Sequence, residues 1–499
     1  MLIPDPKTLM SEAAFRFVNE SHKLLIGDRW LDAQSGATVD VIDPGTGRVI
    51  AKVPAADSAD VDLAVAAARE AFDNGPWSRM TASARGKLIW QFADLIEANA
   101  RSLAEVESLD TGRALYECQI VDVPGSVEML RYMAGWASKI NGETMNVAMP
   151  CDFHTYTVRE AVGVVAIIVP WNYPLELAVW RMAPALAAGC TIILKPAEQT
   201  PLNAIRLGQL AQECGFPPGV INVVTGYGET AGAALSAHMD VDAISFTGST
   251  ETGRLIVKAA AGNMKRVFLE LGGKSPAIVF ADADLTAAIP GVAGSIFFSA
   301  GQVCTAGSRL LVHASIFDRV VAGVAEIAAT MTLGHGLAAG TQLGPLVSSD
   351  QMDRVSGYLD AGRRDGVTIV TGGHRVGTEG YYMQPTVITN TSAQMSIYRE
   401  EVFGPVLCAV PFDDDDMDRV AAMANDTVYG LHASIWTQNL RLAHMMARKV
   451  KAGNVCINTH NFFDPAFPMG GYKQSGWGRA SGFQAIEHYT EVKGVVAKL

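Results

Sequence analysis

Between positions 58 and 139 the apolar residues recur at helical spacing (Val61, Leu63 and Val65, then Leu88, Ile89, Phe92, Leu95 and Ile96). Breaks fall at Asn74-Gly-Pro and Asp110-Thr-Gly, so the segment predicts a block of helices. Positions 141–158 alternate polar and β-forming residues around Pro150, which predicts a hairpin or protruding arm with an edge to pair. The rhythm then changes. VGVVAIIV, TIILK, VINVVTG, AISFTG and RVFLELGG are short apolar runs of the kind required by strands covered on both faces, and helical segments near 175–188, 202–214, 229–237 and 250–261 separate them. This alternation predicts right-handed βαβ units on a parallel sheet, an architecture that binds ligands beyond the carboxyl ends of its strands. A second alternating set runs from Ala277 through 309–312, 368–370, 406–410 and 455–457. The expected fold is α/β, two lobes with a cleft between them.

At 499 residues the chain has room for roughly three packed units. With 49% apolar and 18% charged residues it is an ordinary globular chain, which excludes disordered, collagen-like and coiled-coil readings. A net charge of −12 supplies no field toward phosphate backbones or anionic lipid, so neither nucleic acid nor a membrane is expected as a partner. The longest clean apolar stretch, 161–169, is about half a bilayer span, and early Pro and Asp interrupt the N-terminus where a secretory signal is unbroken; a soluble, cytoplasmic protein is expected. Seven scattered cysteines without C-x-x-C read as reduced thiols, and no histidine spacing suggests a metal.

Several motifs carry two readings each. Gly226-Tyr-Gly228-Glu-Thr-Ala231 loosely fits a dinucleotide loop, or its glycines serve a turn; Asp242 downstream precedes the next strand instead of ending it, which argues against the usual fingerprint. The four aspartates at 413–416 lack the alternating order of a calcium loop and read as a solvated helix N-terminus. In Pro170-Trp-Asn-Tyr-Pro174 the prolines end a strand, or the rigid loop holds the Asn172 amide toward a cleft. Lys195-Pro-Ala-Glu198 is surface charge, or a cation and carboxylate addressing phosphate and ribose hydroxyls. Glu270 sits in an apolar strand-and-turn context, where an unpaired carboxylate costs free energy unless its pKa rises or it has a function; function is favoured. Cys304 lies on a small-residue loop, 299–308, whereas the other cysteines read as core fillers. With a base and an oxyanion donor elsewhere, it has the parts for covalent catalysis.

PWNYP, KPAEQTP, FTGSTETG, LELGGKSP, GQVCTAGSR and EEVFGP follow one another between positions 170 and 405. Together they resemble the NAD(P)-dependent aldehyde dehydrogenase family, and the likeness runs from Leu25-Ile-Gly-Asp-Arg-Trp30 to Tyr489-Thr-Glu-Val-Lys493. The resemblance implies a Rossmann-like NAD-binding domain (1–139 and 161–271), an α/β catalytic domain (272–473) and a β oligomerisation arm (140–160 and 485–499) in a homo-oligomer, dimer or tetramer. It implies NAD as cofactor, Cys304 as nucleophile, Glu270 as general base and Asn172 as oxyanion donor. Lys195 and Glu198 would hold the adenosine ribose, Gly228 and Ser249 would lie near adenosine and pyrophosphate, Glu401 and Phe403 would position the nicotinamide riboside, and Val169 and Trp171 would also face the cofactor.

The family's aldehyde tunnel would be lined by Tyr173, Leu177, Trp180, Phe298, Val303, Thr305, Phe463 and Met469, which favours an uncharged hydrophobic aldehyde. Positions 458–465 and 469–476 look most like the phenylacetaldehyde dehydrogenase branch, with betaine-aldehyde and long-chain aliphatic branches open. A thiol of pKa ~8.5 is about 3% thiolate at pH 7, so Cys304 would need activation. Where the family usually has Lys and Glu to carry protons from the catalytic glutamate, this chain has Arg181 and Ala480, and Ser299-Ala300 stands where Asn is common. A cofactor-independent thiol esterase would want a histidine base, for which no motif stands out. The retained Glu270 argues against a CoA-acylating enzyme.

Overall fold

The apolar runs that follow position 160 become strands β1 (Val164–Ile168), β2 (Thr191–Lys195), β3 (Ile221–Val223), β4 (Ala243–Thr247) and β5 (Arg266–Glu270) in the computed structural model, which describes residues 5–413 and 416–499. Every residue of β1 to β4 is buried, as continuous apolar runs require. They pair in parallel in the order β5-β4-β1-β2-β3, with Gly476–Trp477 antiparallel on the β5 edge and Leu24–Ile26 and Arg29–Leu31 beyond β3. The chain leaves β1 toward β2 and later returns to β4 on the other side, so β1 and β4 flank a topological switch point. Register brings the carboxyl ends level: Ile168 lies opposite both Lys195 and Phe246, and Glu270 opposite Thr247.

The N-terminal helical block is α1 (Ser58–Asp73), α2 (Ala82–Ala98), α3 (Ala100–Thr111) and α4 (Val123–Trp136). A capping box between Asp57 and Asp60 starts α1. Gly112 ends α3 in the left-handed region (φ 81°), where a Cβ would also meet Pro44 and Pro345. Helices α5 (Pro174–Ala188), α6 (Leu202–Cys214) and α7 (Thr250–Ala260) connect strands of the first sheet. Nearly all of α5 is buried, beside α4 and the sheet.

Five residues after β5 the second sheet begins. After β6 (Pro276–Val279) comes α8 (Leu285–Phe297), followed by β7 (Arg309–His313), β8 (Thr368–Thr371), β9 (Thr386–Thr389), β10 (Val406–Phe412), β11 (His432–Trp436) and β12 (Asn454–Ile457), in spatial order β8-β9-β10-β7-β6-β11-β12. Apolar pattern alone does not predict β9 or β11. β9 has only four residues, and β11 buries His432 and Ser434 among its apolar positions. Ser434 Oγ bonds His460 Nδ1 at 2.8 Å, so this interior polar group is partnered.

Phe153–Ala161 pairs antiparallel with Thr490–Lys498 along its whole length, a ribbon outside both main sheets. Asp416 caps the helix Met417–Asn425, as a solvated N-terminus requires, while Asp414 and Asp415 lie outside the described residues. Among the described residues no helix is long and apolar enough to cross a membrane.

Candidate active site

Glu270 is the last residue of β5 and is 5% exposed, and neither of its carboxyl oxygens has a hydrogen-bond partner. Burial raises its pKa to about 7; Arg181 and Arg479 pull the other way without cancelling that effect.

Cys304 stands on the connection from α8 to β7. The turn before it is strained: Ser299 (φ 51°) and Ala300 (φ 53°) are left-handed, followed by Gly301 (φ 71°), where the conformation is tolerated. Buried side chains hold it. Arg113 Nε donates to Ser299 Oγ (2.6 Å), Ser299 N donates to Glu117 Oε1 (3.0 Å), and the Tyr173 hydroxyl lies 3.0 Å from Ser299 Oγ. Arg113 also pairs with Asp122 at 2.6 Å and stacks on the Tyr173 ring at 3.8 Å. Serine at 299 therefore supplies the acceptor that fastens this turn. Nothing in the local sequence announces this cluster, because Arg113 and Ser299 are 186 positions apart.

Asn172 follows β1 and donates one side-chain N–H to the Gln302 carbonyl at 2.9 Å, leaving its second N–H for another acceptor. Gln302 Oε1 in turn accepts from Val347 N at 3.0 Å. Gly273, between the sheets, has no Cβ where the Cys304 carbonyl packs against it.

Burial, with Glu270 and Glu401 nearby, pushes the Cys304 pKa up to about 12, while the Thr305 and Cys304 N–H groups act in the opposite direction.

Cys304 lies where two cavities meet, with Asn172, Leu177, Trp180 and Met469 shared between them. The first, about 220 Å³, opens at the switch point and is lined by Trp171, Ser249, Glu270, Glu401 and Phe403. The second, about 470 Å³, is walled by Tyr173, Leu177, Trp180, Phe298, Val303, Phe463 and Met469. Of the expected tunnel residues, Thr305 alone does not line it. Its hydroxyl donates to Asn461 Oδ1 (2.8 Å) and its carbonyl lies 3.0 Å from His460 Nε2, so Thr305 braces the opposite wall. Asn461 and His460, which line the cavity, have no signal in the apolar pattern.

Arg181 and Ala480 line the first cavity and not the second. Arg181 Nη2 donates to Thr247 Oγ1 at 3.1 Å. Val169 lines neither cavity; its N–H donates to the Lys195 carbonyl at 3.1 Å. Lys195 Nζ and Glu198 Oε2 are 3.4 Å apart, and Glu198 opens with Tyr227 onto a separate polar hollow, next to which Gly228 begins a helical turn.

These surroundings fit a dinucleotide. Ser249 caps α7, so a helix N-terminus with its unpaired N–H groups faces the first cavity, as phosphate requires. Glu401 accepts from Gly273 N at 2.8 Å, and Gly272 lacks the Cβ that would strike the Glu401 carboxylate. Two carboxylates thus stand at separate points, Glu401 beside the first cavity and Glu198 beside the polar hollow.

The sequence profile described as the aldehyde dehydrogenase family matches residues 30–495. The phenylacetaldehyde dehydrogenase of Pseudomonas fluorescens is 46% identical over 481 residues, 95% of each chain. An aldehyde dehydrogenase from Bacillus cereus, solved as an NAD+ complex, superposes with a TM-score of 0.96 at 45% identity, covering 98% of this chain and 99% of that one. The betaine aldehyde dehydrogenase of Staphylococcus aureus, also solved with NAD+, gives 0.94 at 39% identity over 98% and 97% of the two chains.

Proposed function

Since the chain belongs to the aldehyde dehydrogenase family and is an NAD-dependent enzyme, we propose that it oxidises uncharged hydrophobic aldehydes, aryl-alkyl in kind as phenylacetaldehyde is, through Cys304, Glu270 and Asn172. The observation that carries this reading is the position of Cys304 between a polar cavity at the strand ends and an apolar one of about 470 Å³. Cys304 Sγ bonds to the carbonyl carbon, and its proton passes to Glu270. The oxygen, now an alkoxide, meets the free Asn172 N–H and the Cys304 backbone N–H, donors worth a few kcal/mol each in a dry site. Bound NAD, held by Glu401, Phe403, Trp171 and Ser249 with Lys195 and Glu198 at the adenosine end, supplies the hydride acceptor. Cys304 then carries the acyl group as a thioester; Glu270, once it has released the thiol proton to solvent, takes a proton from the water that hydrolyses the thioester and returns it to the departing sulfur. A free thiol and a carboxylic acid result. The exposed Val492 and Val496 of the C-terminal ribbon suit burial against other copies in a homo-oligomer, and the free cysteines suit the cytoplasm.

Aldehydes with aryl or long alkyl tails should exceed acetaldehyde and succinate semialdehyde in kcat/KM by about 10²-fold or more, because each buried methylene contributes ~0.8 kcal/mol. Arg181 does not line the apolar cavity, so no cation there rewards a carboxylate. An NADH-monitored screen in which succinate semialdehyde ranks first overturns this reading.

NAD should be preferred over NADP, since the Glu198 carboxylate accepts from ribose hydroxyls and repels a 2′-phosphate, with Lys195 moderating the difference. Equal kcat/KM for the two cofactors refutes it.

Deacylation should be slow relative to hydride transfer. The charged groups facing Glu270 are Arg181 and Arg479, and guanidinium does not give up its proton at neutral pH. Glu270 must then return its proton to solvent by motion or a water chain. Rapid mixing should show an NADH burst of about one per site, then a slower steady rate with a solvent isotope effect. Arg181→Lys with Ala480→Glu should raise that rate; no isotope effect and no gain would show both replacements to be neutral.

A further inference from the structure

Helix α5 and its leading turn present a stripe to the apolar cavity: Tyr173, Glu176, Leu177 and Trp180, spaced three and four apart. Glu176 is out of place in it. The side chain is 9% exposed and has no hydrogen-bond partner among the described residues. One turn along, the Trp180 indole N–H is likewise buried without an acceptor. Space has been left for the carboxyl: a Cβ at Gly125 of α4 would collide with it. Polar groups on the far wall are already engaged, His460 by Ser434 and the Thr305 carbonyl, and the Asn461 Oδ1 by the Thr305 hydroxyl. The oxidation uses neither Glu176 nor the indole N–H. An unpartnered carboxyl therefore borders the space assigned to the aldehyde tail, one helical turn before Trp180.

We propose that the Glu176 carboxyl forms a polar subsite for a hydroxyl on the aldehyde tail, so that hydroxylated aryl-alkyl or alkyl aldehydes are the preferred members of the hydrophobic class. This rests on the reading that the aldehyde tail occupies the apolar cavity. A hydroxyl is a group that matches an unpartnered carboxyl, donating to one of its oxygens. Burial and the neighbouring Asp122 push the Glu176 carboxyl well above the usual carboxylate range, with Arg113 opposing, which disfavours the charge that would hold a cation.

The test compares kcat/KM for matched aldehydes with and without a hydroxyl, phenylacetaldehyde against 4-hydroxyphenylacetaldehyde and hexanal against 6-hydroxyhexanal. The unmodified enzyme should favour the hydroxylated member of at least one pair by about tenfold or more, the worth of one hydrogen bond to a buried group. Glu176→Leu should bring that ratio to about one or below, and Glu176→Gln, which still bonds a hydroxyl, should retain most of it. Because each ratio is taken within one enzyme, general damage from a substitution cancels. No preference in the unmodified enzyme, or the same preference in Glu176→Leu, overturns the subsite while leaving the hydrophobic-aldehyde reading intact. Turnover confined to small or charged aldehydes overturns both.

Discussion

NADH formation by the Cys304→Ala enzyme should fall by about 10⁴-fold or more with every aldehyde, while the protein stays folded and still binds NAD. No second thiol can replace it: among the described residues the other cysteines line neither cavity at the site. Cys118, Cys190 and Cys408 are buried in the cores, and burial raises the pKa of each above the ordinary thiol value. Cys304→Ser should be almost as inactive, since a hydroxyl is far harder to deprotonate than a thiol. Single-turnover assays with and without NAD, together with thermal unfolding, separate loss of chemistry from loss of fold. Turnover within tenfold of the parent would remove Cys304 from the mechanism.

Glu270→Gln should lower kcat by about 10²- to 10⁴-fold, the usual contribution of a positioned base, and should abolish a pH dependence that the parent shows. Glu270 acts as a base only when ionised. Its pKa of about 7 therefore makes the parent's rate rise from pH 6 to pH 8, whereas the glutamine variant should be flat over that range. The same shift affects stability. In the folded chain the carboxyl keeps its proton up to about pH 7, while in the unfolded chain it loses it near the ordinary carboxylate value, so folding takes up a proton between those limits. This contribution is full in acid and is lost as pH rises through about 7, a change of roughly 3 kcal/mol at 1.36 kcal/mol per pH unit. Relative to the parent, Glu270→Gln should thus gain stability between pH 5 and pH 8 in urea unfolding. A pH-independent difference, or an unaltered rate profile, would set aside the buried-base assignment.

Buried parallel strands have a sequence signature because both faces are covered: VGVVAIIV, TIILK and AISFTG must be apolar throughout, and they became β1, β2 and β4. The motifs at the ends of these runs were legible for a related reason. Parallel pairing in register brings strand ends level, so Asn172, Lys195, Ser249 and Glu270 reach one side of the sheet. The chain order also implied two lobes, because two sets of strands are separated by the glycine pair before Lys274.

Tertiary structure decided matters that depend on direction or distant partners. Trp180 and Arg181 are neighbours in sequence, but adjacent helical residues point about 100° apart, which puts Arg181 on the polar cavity alone while Trp180 borders both. Ser299 and Ala300 look unremarkable as letters; their left-handed backbone and the buried Arg113 that fastens it exist only after the helical block packs on the second lobe. Thr305 is adjacent to Cys304 yet turns away to bond Asn461. Strand β11 escapes an apolar scan because its buried His432 and Ser434 interrupt the pattern, and His460, which partners Ser434, lies on a loop far along the chain. Composition and spacing determined which segments must be buried and which chemical groups the chain carries. The orientation of each group was settled by packing, because a side chain's direction depends on neighbours that sequence order does not place beside it.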